Sequence, residues 1–88
     1  MPEYAITFAR SASKELDALP NHVAERVLDA IERLATNPRP SRVVKLQGFK
    51  QLWRIRVGDY RVVFTLDEKA RSVDIAHVRH RKDVYRDL

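Results

Sequence analysis

The chain has 88 residues, with 17 Lys and Arg against 12 Asp and Glu, a formal net charge of +5 and no cysteine. This length suits one domain with one core, which we expect to span residues 1–88, and the lack of cysteine excludes a disulfide framework or a cysteine zinc cluster. The sequence has no run of about 18 apolar residues and no secretory leader, so we expect a soluble, cytoplasmic protein with no membrane partner.

The excess of positive charge lies in the second half of the chain. Residues 1–44 contain six basic and six acidic residues, whereas residues 45–88 contain eleven basic and six acidic residues. Twelve of the basic residues are arginine, whose planar guanidinium suits bidentate contact with phosphate. Because a basic surface also favours solubility, this charge is compatible with a nucleic-acid partner without establishing one.

The first half of the chain predicts one strand and two helices. Residues 3–8 alternate and are rich in strand-forming side chains, and Ser11 or Ser13 can cap a helix that starts near Ser11. A second helix is predicted over residues 21–36, because apolar residues recur there at steps of three and four. These apolar positions are Val23, Val27, Ala30, Ile31 and Leu34.

The second half opens with a predicted hairpin. Two alternating runs are joined by a Gly-Asp pair at 58–59, and a two-residue loop with glycine first is typical of a type II′ turn. In that register Val57 lies opposite Tyr60, and Arg56 lies opposite Arg61.

Alternation along these two strands separates an apolar face from a basic one. We expect the apolar face to carry Trp53, Ile55, Val57, Tyr60, Val62, Phe64 and Leu66, and the other face to carry Arg54, Arg56, Arg61, Val63 and Thr65. Like charges directly opposite each other destabilise a sheet by about 0.2–1 kcal/mol. An anionic partner would remove that cost.

A final strand is predicted over residues 72–78, and its alternation places His77 on one face with Val73 and Ile75. An extended stretch precedes the hairpin, and a highly charged tail follows the last strand. The order β-α-α-β-β-β predicts a small α+β domain: a mostly antiparallel sheet with a two-helix hairpin on one face. The opposite face, with its arginines, is expected to be open.

The element order and two sequence motifs resemble the RelE/ParE superfamily of bacterial toxin–antitoxin systems, and the RelE-like mRNA endonucleases in particular. The two motifs are Gly58-Asp-Tyr-Arg-Val-Val-Phe64 and His80-Arg-Lys-Asp-Val-Tyr85, and the looser Lys45-Leu-Gln-Gly48 precedes them. The resemblance implies a toxin that inhibits translation by cutting mRNA in the ribosomal decoding site. It implies attack of a ribose 2′-hydroxyl on the adjacent phosphate without metal or cofactor, and a cognate antitoxin with a helical, acidic segment.

The resemblance also implies a set of site residues. Arg61 matches the phosphate-binding arginine that follows the Gly-x-Tyr turn, and Arg56 lies opposite it, so these two are the expected stabilisers of the transition state. The complete catalytic set is Arg56, Arg61, Arg79, His80, Arg81 and Tyr85. The expected substrate-binding residues are Lys45, Lys50, Arg54 and Lys82, and no metal ligand is expected.

One departure from the RelE-like pattern concerns the proton acceptor. The best-known pattern has two lysines in the strand before the turn, one of them assigned to proton transfer, where this chain has Arg54 and Arg56. Arginine is a poor proton acceptor because it stays charged. His80 is the preferred candidate, since a free imidazole titrates near pH ~6.5. Tyr85 and Lys82 are further candidates.

Other interpretations of these residues are open at this point. The arginines fit a solvated sheet face, His80 a surface histidine, and Tyr85 an aromatic that packs the tail against the sheet. The alternative function is a ParE-like inhibitor of DNA gyrase, which needs no catalytic residues. A folded RNA-binding relative without activity is a third possibility.

Overall fold

The computed structural model describes residues 3–38, 43–45 and 52–80. These residues form two helices and five strands. In chain order the elements are β1 (Ala5–Phe8), α1 (Arg10–Asp17), α2 (Asn21–Arg33), β2 (Val44–Lys45), β3 (Leu52–Val57), β4 (Tyr60–Asp67) and β5 (Ser72–His80).

The strands form one mixed sheet in the order β1-β5-β4-β3-β2. Strand β1 runs parallel to β5, and the other three pairings are antiparallel. The predicted α+β class, with a mostly antiparallel sheet and two helices, is confirmed. The sheet gains one strand over the predicted four, because the extended stretch before the hairpin pairs with β3 over two residues.

The hairpin of β3 and β4 has the predicted register. Val57 pairs with Tyr60 and Arg56 pairs with Arg61. Gly58 has a φ of +60°, and Asp59 is not among the described residues with positive φ. Positive φ at the first turn residue alone is the signature of a type II′ turn, whose twist matches that of the strands it joins.

The helices pack on the predicted apolar face. The apolar stripe of α2 buries Val27 and Ile31, and Leu34 just after the helix is buried with them. They pack in one cluster with Phe64 and Val62 of β4. The regular helix ends at Arg33 and continues as a turn over residues 34–36, three residues short of the predicted end. Neither helix of the described residues is long and apolar enough to cross a membrane.

The start of α1 differs from the prediction. The N-cap is Ala9, which makes no side-chain cap hydrogen bond, so the expected capping by Ser11 or Ser13 is wrong. Ser11 lies inside the first turn, and its hydroxyl donates instead to the carbonyl of Ala76 in β5 at 2.9 Å. A contact across the fold therefore replaces the local cap.

Strand β5 contains a bulge that the alternating pattern does not predict. Val62 pairs with Val78 and Val63 pairs with His77, but Phe64 pairs with Ile75, so Ala76 is the extra residue. An extra residue reverses which face each later side chain points to. Val78 is consequently in the core, and the expected placement of His77 beside Ile75 is wrong.

Candidate functional site

Three arginines lie side by side across the middle of the sheet. Arg61 of β4 pairs with Arg56 of β3 on one side and with Arg79 of β5 on the other. Neighbouring strands are about 4.8 Å apart, so the three Cα atoms lie within about 10 Å. We call these three residues the arginine row.

The two outer members of the row are anchored by hydrogen bonds. Arg56 Nε donates to the carbonyl oxygen of Gly58 at 3.0 Å. Arg79 Nε donates to Glu15 Oε2 at 2.7 Å, in an ion pair whose side chains are 20% and 25% exposed. Arg61 lies between them and is half-buried. The mutual repulsion of the row is thus offset by a carboxylate at one end and a carbonyl at the other.

The arginine row belongs to a wider surface of β3, β4 and β5, which we call the arginine face. This face carries Arg54, Arg56, Arg61, His77 and Arg79. Val63 lies on it, between Arg54 and His77 in the register, and only 1% of its surface is exposed. The expectation of a fully open face is therefore wrong around Val63. Arginine side chains and buried apolar surface occur together here.

Helix α1 completes the free edge of β5. Strand β1 ends at Phe8, where the backbone of β5 would otherwise lose its neighbour. The N–H of Ala9 donates to the carbonyl of Ile75 at 2.9 Å, and the N–H of Val78 donates to Glu15 Oε1 at 2.8 Å. Because exposed strand edges need partners, these contacts stabilise the edge. They also hold the Glu15 carboxylate beside the arginine row.

His80 does not lie on the arginine face. It pairs with Tyr60, and the two rings meet edge to face with centroids 5.4 Å apart and an interplanar angle of 84°. Successive residues of a strand point to opposite faces, so His80 and Arg79 cannot share one. The structure thus does not bring His80, the expected proton acceptor, to the face that carries the arginine row.

A groove of about 190 Å³ lies on the Tyr60 side of the sheet, between α2 and the hairpin turn. Val23 and Arg26 of α2 line one wall, and residues 57–60 line the other. A Cβ at Gly58 would lie 3.7 Å from Arg26 Nη1, so the arginine packs across the turn. This groove is separate from the arginine face.

Several expected site residues lie outside the described residues, namely Lys50, Arg81, Lys82 and Tyr85. Lys45 is in β2, where it pairs with Trp53. Their roles stay predictions.

Two residues of this site were missed by sequence reasoning. Glu15 contacts Arg79, which lies 64 residues away in the sequence, and no local sequence pattern predicts such a contact. His77 did have a signal: the apolar series Val73, Ile75 and Val78 breaks the step of two, as expected where a bulge adds a residue.

Clustered guanidinium groups on a sheet are suited to hold a phosphate, since each can donate two parallel hydrogen bonds to its oxygens. The fold around them is that of known toxins. A chain of the archaeal RelE–RelB complex from Pyrococcus horikoshii superposes with a TM-score of 0.80 at 30% identity, covering 92% of this chain and 97% of that one. The intact RelBE complex of E. coli gives a TM-score of 0.77 at 24% identity, covering 88% and 95%.

The family is established by sequence as well. Residues 6–85 match the model of the ParE toxin of type II toxin-antitoxin systems, parDE. The chain therefore belongs to the RelE/ParE superfamily and is a toxin of a type II toxin–antitoxin system.

Two named relatives are RelE toxins. Toxin RelE3 of Methanocaldococcus jannaschii is 29% identical over 84 residues, covering 91% of this chain and 93% of that toxin. Toxin RelE of Mycobacterium tuberculosis is 29% identical over 84 residues, covering 94% and 87%.

Proposed function

We propose that this toxin is a ribosome-dependent endoribonuclease that cuts mRNA in the decoding site and so inhibits translation in the cytoplasm. The observation that carries the proposal is the arginine row, in which Arg61 is flanked on both neighbouring strands by another arginine. Membership of the superfamily and the likeness to RelE toxins support the same activity.

The proposed reaction is attack of a ribose 2′-hydroxyl on the adjacent phosphate, without a metal ion. The phosphorane formed on the way carries additional negative charge, and positioned cations stabilise such charge by several kcal/mol, roughly 3–4 for one donor. Arg61 is proposed to bind the non-bridging oxygens from the centre of the row. Arg56 and Arg79 approach from either side.

Other residues are proposed to hold the RNA around that phosphate. Arg54 lies two residues before Arg56 on the same face of β3 and extends the basic surface along the strand. The remaining predicted site residues keep the roles given to them from the sequence. The lysines, Lys45, Lys50 and Lys82, are proposed to contact phosphates, and Arg81 belongs to the proposed catalytic set. Tyr85 is proposed to stack on a base or to assist proton transfer.

A cognate antitoxin is the proposed protein partner. Structures similar to this chain are RelE–RelB and RelBE complexes of a toxin with its antitoxin. The matching segment on an antitoxin would be helical and acidic, because the surface it must cover is rich in arginine.

Gyrase inhibition in the manner of ParE is not favoured. The relatives named above are RelE toxins, although the matching family model carries the ParE name.

The test is an mRNA translated in a reconstituted system, followed by mapping of its ends. Wild-type toxin is expected to give codon-phased cuts only when ribosomes are present, and Arg61→Ala is expected to lose them. Arg33→Ala is the matched control, because the Arg33 side chain is 78% exposed on α2, where it pairs with Asp29 one turn away. Intact mRNA together with gyrase-dependent DNA breaks would overturn the proposal.

A further inference from the structure

The bulge in β5 places His77 on the arginine face. Simple alternation would have kept this histidine on the core side of the sheet. His77 pairs with Val63 there, and Arg79 follows two residues later on the same face. Two residues of strand span about 7 Å, so an imidazole at 77 and the guanidinium groups of the row can reach one phosphodiester together.

The two nitrogens of His77 have different surroundings. Nδ1 is buried, makes no hydrogen bond with any described residue, and lies 3.6 Å from Glu15 Oε1. The side chain as a whole is 29% exposed, so its accessible part lies elsewhere on the ring. This arrangement favours the tautomer with the proton on Nδ1, facing the carboxylate, and a free lone pair on Nε2.

Glu15 is itself held in place. Its Oε1 accepts from the N–H of Val78 at 2.8 Å, and its Oε2 accepts from Arg79 Nε at 2.7 Å. A separation of 3.6 Å is too long for a hydrogen bond. Hydrogen bonds of catalytic groups are commonly long without substrate and shorten when it binds.

We propose that His77, oriented by Glu15, is the proton acceptor for the 2′-hydroxyl, a role that rests on the proposed ribonuclease function. On the arginine face the guanidinium groups stay protonated, whereas the imidazole of His77 is a side chain that can accept a proton. It takes the place expected for His80, which faces Tyr60 on the other side of the sheet.

The proposed step is a transesterification at phosphorus. The 2′-hydroxyl proton passes to His77 Nε2, and the 2′ oxygen forms a bond to phosphorus. The bond between phosphorus and the 5′ oxygen of the next nucleotide breaks, and that oxygen takes a proton from water. The products are a 2′,3′-cyclic phosphate and a 5′-hydroxyl, and the imidazolium returns its proton to solvent.

Several charged groups surround this imidazole. Glu15 faces it from α1, Arg79 lies beyond it on β5, and Arg61 lies diagonally across on β4. Asp74 lies before the bulge, where its Oδ1 accepts from the Thr7 hydroxyl at 2.7 Å.

The test is single-turnover cleavage of mRNA on programmed ribosomes at saturating toxin. His77→Gln is expected to lower the rate at least about 100-fold, the contribution typical of a positioned base. The wild-type rate is expected to rise with pH, as it does for a reaction with a general base, and the variant is expected to lose that rise. His22→Gln is the matched control, since His22 is exposed on α2.

Chemical rescue separates a chemical role from a structural one. Imidazole added to His77→Ala is expected to restore cleavage at the same codons, whereas a purely structural histidine would not be replaced by a free base. A His77→Gln rate within about threefold of wild type, or an inactive His77→Ala that imidazole leaves inactive, overturns the assignment of His77 while wild-type cleavage stands. Wild-type toxin that cuts no mRNA would instead overturn the proposed function, and this role with it.

Discussion

Replacing Glu15 by alanine is expected to destabilise the fold substantially, although the residue lies on a short, mostly exposed helix. The carboxylate accepts one hydrogen bond from the backbone of β5 and one from Arg79, both shorter than 2.9 Å and both partly buried. A hydrogen bond to a charged group contributes about 1.5–3 kcal/mol. Allowing for partial exposure, we expect Glu15→Ala to lower the free energy of unfolding by about 2–4 kcal/mol.

Thermal unfolding followed by circular dichroism measures this effect. A loss of 1 kcal/mol lowers Tm by about 4–8 °C in a domain of this size, so Glu15→Ala should lower Tm by about 10 °C or more. Glu15→Gln keeps an oxygen acceptor for the Val78 N–H and should lose only about 1 kcal/mol.

Asp29→Ala is the matched control, because it removes a carboxylate–arginine pair of 2.9 Å that is exposed on α2. Exposed pairs contribute about 0–1 kcal/mol. A Glu15→Ala protein as stable as Asp29→Ala would refute the reasoning that α1 secures the edge of β5.

Two further predictions concern the hairpin. Gly58→Ala should destabilise the protein by at least about 1 kcal/mol, measured by urea denaturation, because an L side chain is strained at a φ of +60°. The added Cβ would lie at an ordinary contact distance of 3.7 Å from Arg26, so the strain comes from the backbone. Unchanged stability would contradict the type II′ turn. Arg56→Ala should reduce the salt dependence of binding to an uncleavable RNA by about 0.7 in the log–log slope, the value for one phosphate contact on a single strand. Arg33→Ala should leave that slope unchanged, and equal slopes for the two variants would exclude a phosphate contact by Arg56.

The hairpin was predictable because its determinants are local. Alternation decides which face a side chain takes, and Gly58 decides the turn, so the pairing of Arg56 with Arg61 follows from a short stretch of sequence. The stripe of α2 is local in the same sense. The fold class follows because the apolar stripes of the helices can be buried only against the apolar face of the sheet.

The rest of the site depends on a β-bulge and on a long-range contact, neither of which a local sequence pattern determines. The bulge at Ala76 moves His77 onto the arginine face and leaves His80 against Tyr60, so the two histidines lie on the faces opposite to those that simple alternation gives. The contact between Glu15 and Arg79 joins positions 64 apart, and a glutamate on a short amphipathic helix would ordinarily be read as solvated. The shared face of Arg56 and Arg61 was thus predictable, whereas the place of Arg79 beside them depends on the bulge, and its contact with Glu15 depends on tertiary packing.

The proposed role of the arginine row is to stabilise the transition state of RNA cleavage, and the decisive measurement is the single-turnover rate constant of Arg61→Ala on saturated, programmed ribosomes. Loss of one preformed donor to a developing negative charge lowers a rate by about 100–1,000-fold. We predict a loss of that size while Arg33→Ala cleaves at the wild-type rate and both variants bind ribosomes. An Arg61→Ala toxin that cleaves as fast as wild type would contradict the account.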